Sequence, residues 1–263
     1  MNSKTVDKNF TNNGYCIINL FSKSQIKNIK KNIIKKLLKL ETNTNFLKNL
    51  NLNNLKDYHK LKIPEKIHKD ILKTSTRYIN LDSELIEYLS NNRYLKSIMI
   101  SQWGHNDTVV NWVGSLKKKQ IKQKVVGFRI SRPSKSMKKD ATGIHCDLHV
   151  GGKICSDKKV LVTAWVPLIG FNEKYSLNLS PKSHIPNHPI DNFIKGKTVT
   201  NVYSKNYYKN LKFLRPKLKE GQAIIFHPNL LHGNSFNVGT STRISIEIRF
   251  YNKKNIKFWK IKK

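Results

Sequence analysis

Apolar positions recur at a helical interval in the first half of the chain. Between Ile26 and Leu40 they are spaced three and four residues apart, which predicts a helix with one apolar face and lysines on the other. Ser22 and Ser24 offer N-caps for that helix. The residues from 51 to 100 predict further short helices, with Pro64 in a first turn.

In the second half of the chain, apolar positions recur at every second residue. Residues 243–250 alternate strictly between polar and apolar side chains, and residues 125–130, 160–168 and 223–226 also predict strands. Residues 14–18 predict one more strand before the first helix. Helices followed by a β-rich half favour helices packed on a β-sandwich or barrel. Since no repeat or linker interrupts the chain, we expect a single domain over residues 1–263, helical at about 20–100 and β-rich at about 125–250.

Composition leaves the class of partner open. The 263 residues carry a formal net charge of +34, but 43 of the 50 basic residues are lysine and only seven are arginine. Nucleic-acid readers favour arginine for bidentate contacts, so we favour a solvated lysine surface and expect no specific nucleic acid, with a nucleic-acid-binding protein as the alternative.

The chain also lacks features of secreted and membrane proteins. No apolar run is long enough to span a membrane, and the N-terminus is polar. Three cysteines, Cys16, Cys146 and Cys155, are too few and too scattered for a disulfide framework. We therefore expect a cytoplasmic protein without a membrane span.

The segment Gly143–His149 carries the first candidate chemistry. On a strand, His145 and Asp147 would share one face, with Cys146 on the other, so an imidazole and a carboxylate could hold one cation. His232, 85 residues after Asp147, is the candidate third ligand. Two histidines and one carboxylate form the facial triad of non-haem Fe(II) oxygenases, which leaves coordination positions open. An ion pair that arises by chance is the alternative for His145 and Asp147 alone.

Arg243 and Ser245 are the next candidates. Arg243 lies eleven residues after His232, at the start of the alternating strand, and Ser245 shares its face. An inward arginine can bind a carboxylate bidentately, and a buried arginine needs an anionic partner. A dicarboxylate co-substrate would supply that partner, whereas a salt bridge to Glu247 is the structural alternative.

This ordered set of residues resembles the Fe(II)/2-oxoglutarate-dependent oxygenases, and its flanks resemble the phytanoyl-CoA dioxygenase-like branch. The similar flanks are the opening at residues 10–18, the strand Thr163–Leu168, the Pro-Lys-Ser-His turn at 181–184, and the strand 221–226 that leads to His232-Gly233-Asn234. The turn departs from the family's Pro-Gly-Ser-His, and Asn234 stands where serine is frequent.

The resemblance implies a double-stranded β-helix (jelly-roll, cupin-like) core with N-terminal helices packed on it. It implies His145, Asp147 and His232 as iron ligands, Arg243 as the partner of the 5-carboxylate of 2-oxoglutarate, and Trp165 and Asn234 as lining of that pocket. Ser245 would add a hydroxyl donor. The implied reaction uses Fe(II), 2-oxoglutarate and O2, and yields succinate and CO2. Because Asp147 is present and halogenating relatives lack that carboxylate, hydroxylation is favoured.

The substrate is predicted only as a class. Arg129, His149 and Trp103 are candidate substrate contacts. Tyrosines and lysines are interleaved in the long segment 191–219, for which we favour a solvated loop, with a lid over an anion as the alternative. We expect a small or carrier-linked, anionic metabolite, of the kind found in surface-carbohydrate or secondary metabolism. A cupin-like metalloprotein with non-oxidative chemistry, which would not need Arg243, is the second alternative. The sequence does not predict the oligomeric state.

Overall fold

The computed structural model describes residues 2–40, 45–73, 76–111, 124–133, 140–149, 158–189, 193–194 and 202–254. The helices in these ranges are α1 (Ser3–Asn13), α2 (Lys23–Leu40), α3 (Glu65–Ile71), α4 (Ser83–Asn91), α5 (Arg93–Trp103) and α6 (Lys205–Tyr208). The strands are β1 (Tyr15–Asn19), β2 (Tyr78–Asn80), β3 (Thr108–Asn111), β4 (Val125–Ser131), β5 (Leu161–Ile169), β6 (Phe193–Ile194), β7 (Val202–Tyr203), β8 (Gln222–Phe226) and β9 (Arg243–Asn252).

Seven of the strands form one antiparallel sheet, which we call the major sheet. Its order is β1-β8-β5-β9-β4-β2, and β3 also pairs with β9. β5 follows one edge of β9 along its length, while β4 and β3 share the other edge. β9 is therefore the central strand, so its side chains face two layers, one on each side of the sheet.

The hydrophobic core and the polar candidate residues lie on opposite faces of the major sheet. Apolar residues at even positions of β5 and β9, from Val162 to Leu168 and from Ile244 to Phe250, share one hydrophobic core with α1, α2, α4 and α5. The odd positions, which include Trp165, Arg243 and Glu247, point to the opposite face. The strict alternation of the sequence thus directs every second residue of β9 away from the helices.

Short backbone bridges build the wall opposite that face. His145 and Leu179 each pair with His232, and Leu179 also pairs with Leu214. The ring of His232 lies 4.7 Å from the ring of Phe226 on β8, measured between centroids, so the two walls are in contact. Two facing antiparallel walls of this kind form a jelly roll.

The sequence predicted most of these elements. The helix after Ser22 and the strands at 14–18, 125–130, 160–168, 223–226 and 243–250 are present within one or two residues at each end. α1, β2 and β3 were not predicted, because α1 is polar and β2 and β3 are short. Cys155, Trp112 and much of 191–201 lie outside the described residues. Within the described ranges, no helix is long and apolar enough to cross a membrane.

The predicted strand over 143–149 is wrong. Only His145 makes a bridge, and Asp147–His149 forms a turn of 3-10 helix. Its backbone bonds run from Leu148 N to Pro228 O and from His149 N to Cys146 O. His145 and Asp147 converge because the chain turns after Cys146, and not because a pleated strand places them on one face.

Candidate metal and co-substrate site

His145, Asp147 and His232 meet between the two walls. One ligand atom from each lies within 4.8 Å of the others, and all three residues are buried. The two histidines are directly paired, since each backbone N–H donates to the other's carbonyl at 2.9 Å and the ring centroids lie 4.3 Å apart. Asp147 Oδ1 lies 3.9 Å from His232 Nε2. Two imidazoles and one carboxylate are a donor set that suits ferrous iron.

Gly233 permits the two histidine loops to approach. Its φ of +125° is one that side chains disfavour, and a Cβ at this position would lie 2.2 Å from the carbonyl oxygen of Gly143. The His-Gly pair is therefore a packing requirement of the site as well as a sequence signature.

Hydrogen bonds fix the tautomers of both histidines. His145 Nδ1 lies 2.7 Å from Gly143 O, and His232 Nδ1 lies 2.9 Å from Leu230 O. Because a carbonyl only accepts, each Nδ1 must carry the proton, which leaves each Nε2 with a lone pair for a metal. Burial and then the neighbouring His232 hold the pKa of His145 well below its usual range, so His145 is neutral, as a ligand must be.

Two side chains of the major sheet hold the carboxylate of Asp147. Thr163 Oγ1 donates to Oδ2 at 2.5 Å, and Arg249 Nη2 donates to Oδ1 at 3.0 Å. Arg249 Nη2 also lies 2.6 Å from Glu247 Oε1. Burial alone would lower the pKa of Arg249, but the carboxylates of Asp147 and Glu247 raise it above its ordinary value. The sequence analysis did not identify Thr163 or Arg249, although their odd positions on β5 and β9 were a signal for inward side chains.

A cavity beside the histidines contains three of the seven remaining candidates. Trp165, Arg243 and Arg129 line it, as do Glu247 and Ser235, which the sequence analysis did not identify as site residues. The full lining is Arg129, Ala141, Thr142, His145, Trp165, Leu177, Phe226, His232, Gly233, Ser235, Arg243 and Glu247. Ser245 lines a smaller adjoining pocket, together with Arg129 and Glu247.

Arg243 has the properties of an anion receptor. It is 1 % exposed, and its Nη1 donates to the carbonyls of Tyr175 and Ser235, both at 3.0 Å. Its Nε is buried without a partner, and among the described residues no carboxylate forms an ion pair with it. Burial and the neighbouring Arg129 lower its pKa to about 9. The alternative of a salt bridge to Glu247 is wrong, because Glu247 pairs with Arg249. A buried guanidinium with an unused donor fits the distal carboxylate of 2-oxoglutarate.

Arg129 is a second guanidinium beside the cavity. It lies opposite Ser245 in the pairing of β4 with β9. Burial lowers its pKa, as does the proximity of Arg249, while Glu247 opposes the shift. It lines the same cavity as His145, His232 and Arg243, so a second anionic group in that cavity could contact it.

Three other candidates lie outside the cavity lining. Asn234 adopts a left-handed backbone (φ 46°) and donates from Nδ2 to Tyr208 OH at 3.2 Å, while the next residue, Ser235, lines the cavity. His149 Nδ1 lies 2.8 Å from Tyr203 OH, and burial lowers its pKa to about 4. Trp103 packs at the end of α5 in the core under the helices. Turn geometry moves Asn234 and His149 away, because neither residue follows the strand alternation that the prediction assumed.

The segment after residue 202 is only partly a solvated loop. Tyr203 is buried, and its ring stacks on Tyr207 with centroids 4.7 Å apart. Tyr208 accepts the hydrogen bond from Asn234. These tyrosines therefore support the loops that carry the metal ligands, whereas Lys205 and Lys209 point to solvent.

The fold and the site together define a class: a jelly-roll protein with a buried His-Asp-His triad that could hold a metal ion and a buried arginine in the same cavity. The model of the phytanoyl-CoA dioxygenase (PhyH) family matches residues 10–245, and the chain belongs to that family. Fe(II) and 2-oxoglutarate, the predicted cofactors, fit this family and the donor set described above. No curated protein sequence matches the chain significantly.

Solved structures confirm the jelly-roll fold. The non-heme alpha-ketoglutarate-dependent carbocyclase SnoK from nogalamycin biosynthesis is similar, with a TM-score of 0.56 and 12% identity over 95% of this chain and 84% of SnoK. The epimerase SnoN, in complex with Fe3+, alpha-ketoglutarate and nogalamycin RO, has a TM-score of 0.55 and 12% identity over 95% and 83%. EctD from S. alaskensis, with 2-oxoglutarate and 5-hydroxyectoine, has a TM-score of 0.55 and 15% identity over 97% and 77%.

Proposed function

We propose that the protein is an Fe(II)- and 2-oxoglutarate-dependent dioxygenase that hydroxylates a small or carrier-linked anionic metabolite. One observation carries the proposal: the two histidines of a buried His-Asp-His triad line the same cavity as Arg243, whose buried Nε has no partner. Membership of the PhyH family supports this function over nucleic-acid binding and over non-oxidative cupin chemistry.

Each residue has a separate task in this proposal. His145, Asp147 and His232 hold the metal, and Arg243 binds the 5-carboxylate of 2-oxoglutarate while Trp165 covers its guanidinium at 5.9 Å. The metal and 2-oxoglutarate, when bound, supply oxidative decarboxylation to succinate and CO2 and the oxidising equivalent for hydroxylation. The protein contributes orientation and a site largely shielded from water, since the ligands and Arg243 are buried.

Hydroxylation is the proposed outcome because the chain offers a full set of three ligands. The neighbours SnoK and SnoN carry the names carbocyclase and epimerase, so a shared fold supports several outcomes after the same oxidation. Asp147 supports hydroxylation over halogenation, since a carboxylate occupies the position that a halide would need. We also propose that residues 1–263 act as one catalytic domain, because the helices and the major sheet share one core.

Arg129 supports the anionic class of the substrate. Arg243 is expected to be used by 2-oxoglutarate, whereas Arg129 has no hydrogen-bond acceptor among the described residues and lines the same cavity. A buried cation is stabilised when an anion joins it. Ser245 and Glu247 line the adjoining pocket together with Arg129, so the substrate would find both hydrogen-bond donors and hydrogen-bond acceptors there.

The test is an anaerobic titration of the metal-free protein with Fe(II) and 2-oxoglutarate. We expect the weak visible charge-transfer band of the Fe(II)–oxoacid chelate in the native protein, and its loss in His145→Ala and Arg243→Ala. Arg93→Ala, an exposed arginine on α5, is the matched control and should keep the band. Metal binding without a band would favour the non-oxidative cupin. A native protein that binds no metal would overturn the proposal.

A further inference from the structure

We propose that Thr163 and Arg249 form a clamp that positions Asp147 for metal binding, and we name these two residues the carboxylate clamp. The inference rests on the proposed function and deepens it. Thr163 and Arg249 touch the ligand and not the metal, so they are positioning residues.

The clamp is built into the pairing of the major sheet. Thr163 on β5 lies directly opposite Arg249 on β9. Paired residues of an antiparallel sheet project to the same face, so both side chains reach the metal side together. Each grips a different oxygen of Asp147, with Thr163 Oγ1 2.5 Å from Oδ2 and Arg249 Nη2 3.0 Å from Oδ1. The carboxylate plane is thereby fixed from two points.

Asp147 needs such support more than the two histidines do. His145 and His232 are aligned by two mutual backbone bonds, and each Nδ1 is held by a carbonyl. Asp147 begins a 3-10 turn and has no partner strand. Side-chain donors must therefore supply the orientation that the backbone supplies for the histidines. Ligand orientation by hydrogen bonds of this kind is a general determinant of metal affinity.

The two members of the clamp differ in charge. Arg249 lies between Asp147 and Glu247 and compensates both carboxylates in the buried site. Its positive charge also repels an incoming metal ion. Removing Arg249 therefore has two opposing effects on metal affinity: the loss of orientation lowers it, and the loss of repulsion raises it. Thr163 is a neutral donor, so its removal takes away one hydrogen bond to Asp147 and leaves the net charge of the site unchanged. Thr163 therefore carries the sharper test.

The first measurement is Mn(II) affinity, followed by the loss of the free-ion electron paramagnetic resonance signal. Thr163→Val removes the hydroxyl at nearly constant volume and should weaken Mn(II) binding by about 10- to 100-fold. Thr163→Ser keeps the hydroxyl and should stay close to native. Thr242→Val is the matched control, because Thr242 is a fully buried threonine that bonds His59 instead of the metal site.

The second measurement needs no metal. In the metal-free protein, Thr163→Val should lower the melting temperature, whereas in an Asp147→Ala background it should lower it much less, since the partner is already gone. Coupling of the two substitutions shows that the clamp exists before any ion binds.

The outcomes separate the clamp from the proposed function. A native protein that binds Mn(II) and a Thr163→Val variant that binds it equally well would overturn the clamp alone. An equal loss of Mn(II) affinity in Thr163→Ser and Thr163→Val would also overturn it, because the hydroxyl would not be the cause. Additive changes in melting temperature for Thr163→Val and Asp147→Ala would overturn it as well, because the two residues would then not be coupled. A native protein that binds no Mn(II), with coupling present, would overturn the proposed function and reduce the clamp to a structural contact.

Discussion

The two walls of the site are built in different ways. The sheet wall, formed by β4, β5 and β9, presents Arg129, Trp165 and Arg243 from regular strands, so alternation decides which side chains point inward. The ligand wall presents His145 and His232 from isolated bridges and Asp147 from a 3-10 turn. Regular geometry thus provides the proposed anion receptors, whereas irregular segments provide the proposed metal ligands. Substitutions on the ligand wall should therefore weaken metal binding, whereas substitutions on the sheet wall should weaken the binding of anions.

The largest expected effect is on the ligand wall. His232→Ala should abolish metal binding, because only two of three ligand atoms remain, while the backbone bonds of residue 232 keep it paired with His145. Metal content after dialysis against Fe(II) or Mn(II) measures this. His105→Ala, a histidine outside the cavity lining, is the control and should bind metal like the native protein. Native-like metal content in His232→Ala would contradict the triad.

The next effect separates the sheet wall from the metal. Arg243→Lys keeps a charge but loses the planar fork, so 2-oxoglutarate should bind about 10- to 100-fold more weakly, which corresponds to one or two charge-assisted hydrogen bonds. Metal affinity should stay near native, since within the described part of the chain the Arg243 side chain bonds the carbonyls of Tyr175 and Ser235 and none of the three metal ligands. Titration of the charge-transfer band measures both. A parallel loss of metal would show that the two walls are not independent.

The same difference explains how far the sequence could be interpreted. Strand alternation predicted an inward Arg243, the family resemblance implied Trp165 beside it, and the order of residues predicted His145, Asp147 and His232 as ligands. The residues around Asp147 and Asn234 could not be predicted, because a 3-10 turn and a left-handed backbone do not follow a fixed interval. Arg249 and Thr163 were predictable in orientation but not in role, since their partner comes from a distant turn.

A third prediction concerns His227, at the point where β8 leaves the sheet wall for the ligand wall. Burial, together with the nearby His184, lowers the pKa of His227 to about 3, and its Nδ1 accepts a hydrogen bond from Asn229 N at 3.1 Å. Its pKa is near 6.5 in the unfolded chain, so the unfolded state gains the proton first and stability falls as the pH drops below 6.5. Between pH 6.5 and 5, His227 should cost about 2 kcal/mol.

Unfolding of the metal-free protein in urea at several pH values measures this dependence. In His227→Gln, the loss of stability from pH 6.5 to 5 should be smaller by about the same amount, although the variant is less stable at neutral pH because it loses the bond to Asn229. Other buried histidines, such as His149, maintain part of the slope. An unchanged slope in the variant would mean that His227 titrates normally in the folded protein.

The smallest effect tests where the two walls meet, at Asn234 and Ser235. The resemblance implied Asn234 as a co-substrate contact, but its side chain bonds Tyr208, and Ser235 lines the cavity while its carbonyl accepts from Arg243. Asn234→Ser should therefore change 2-oxoglutarate affinity by less than about two-fold and cost about 0.5–1 kcal/mol of stability, because serine tolerates the left-handed backbone less well and loses one hydrogen bond.

Ser235→Ala should weaken 2-oxoglutarate binding more than Asn234→Ser does. Its hydroxyl accepts from Asn178 N at 2.9 Å, and losing that bond loosens the turn whose carbonyl holds Arg243. The expected loss is about three- to ten-fold, the worth of one neutral hydrogen bond. Titration of the charge-transfer band in both variants gives the comparison. If Asn234→Ser has the larger effect, Asn234 contacts the co-substrate as the resemblance implied, and Ser235 does not have the role that the cavity lining indicates.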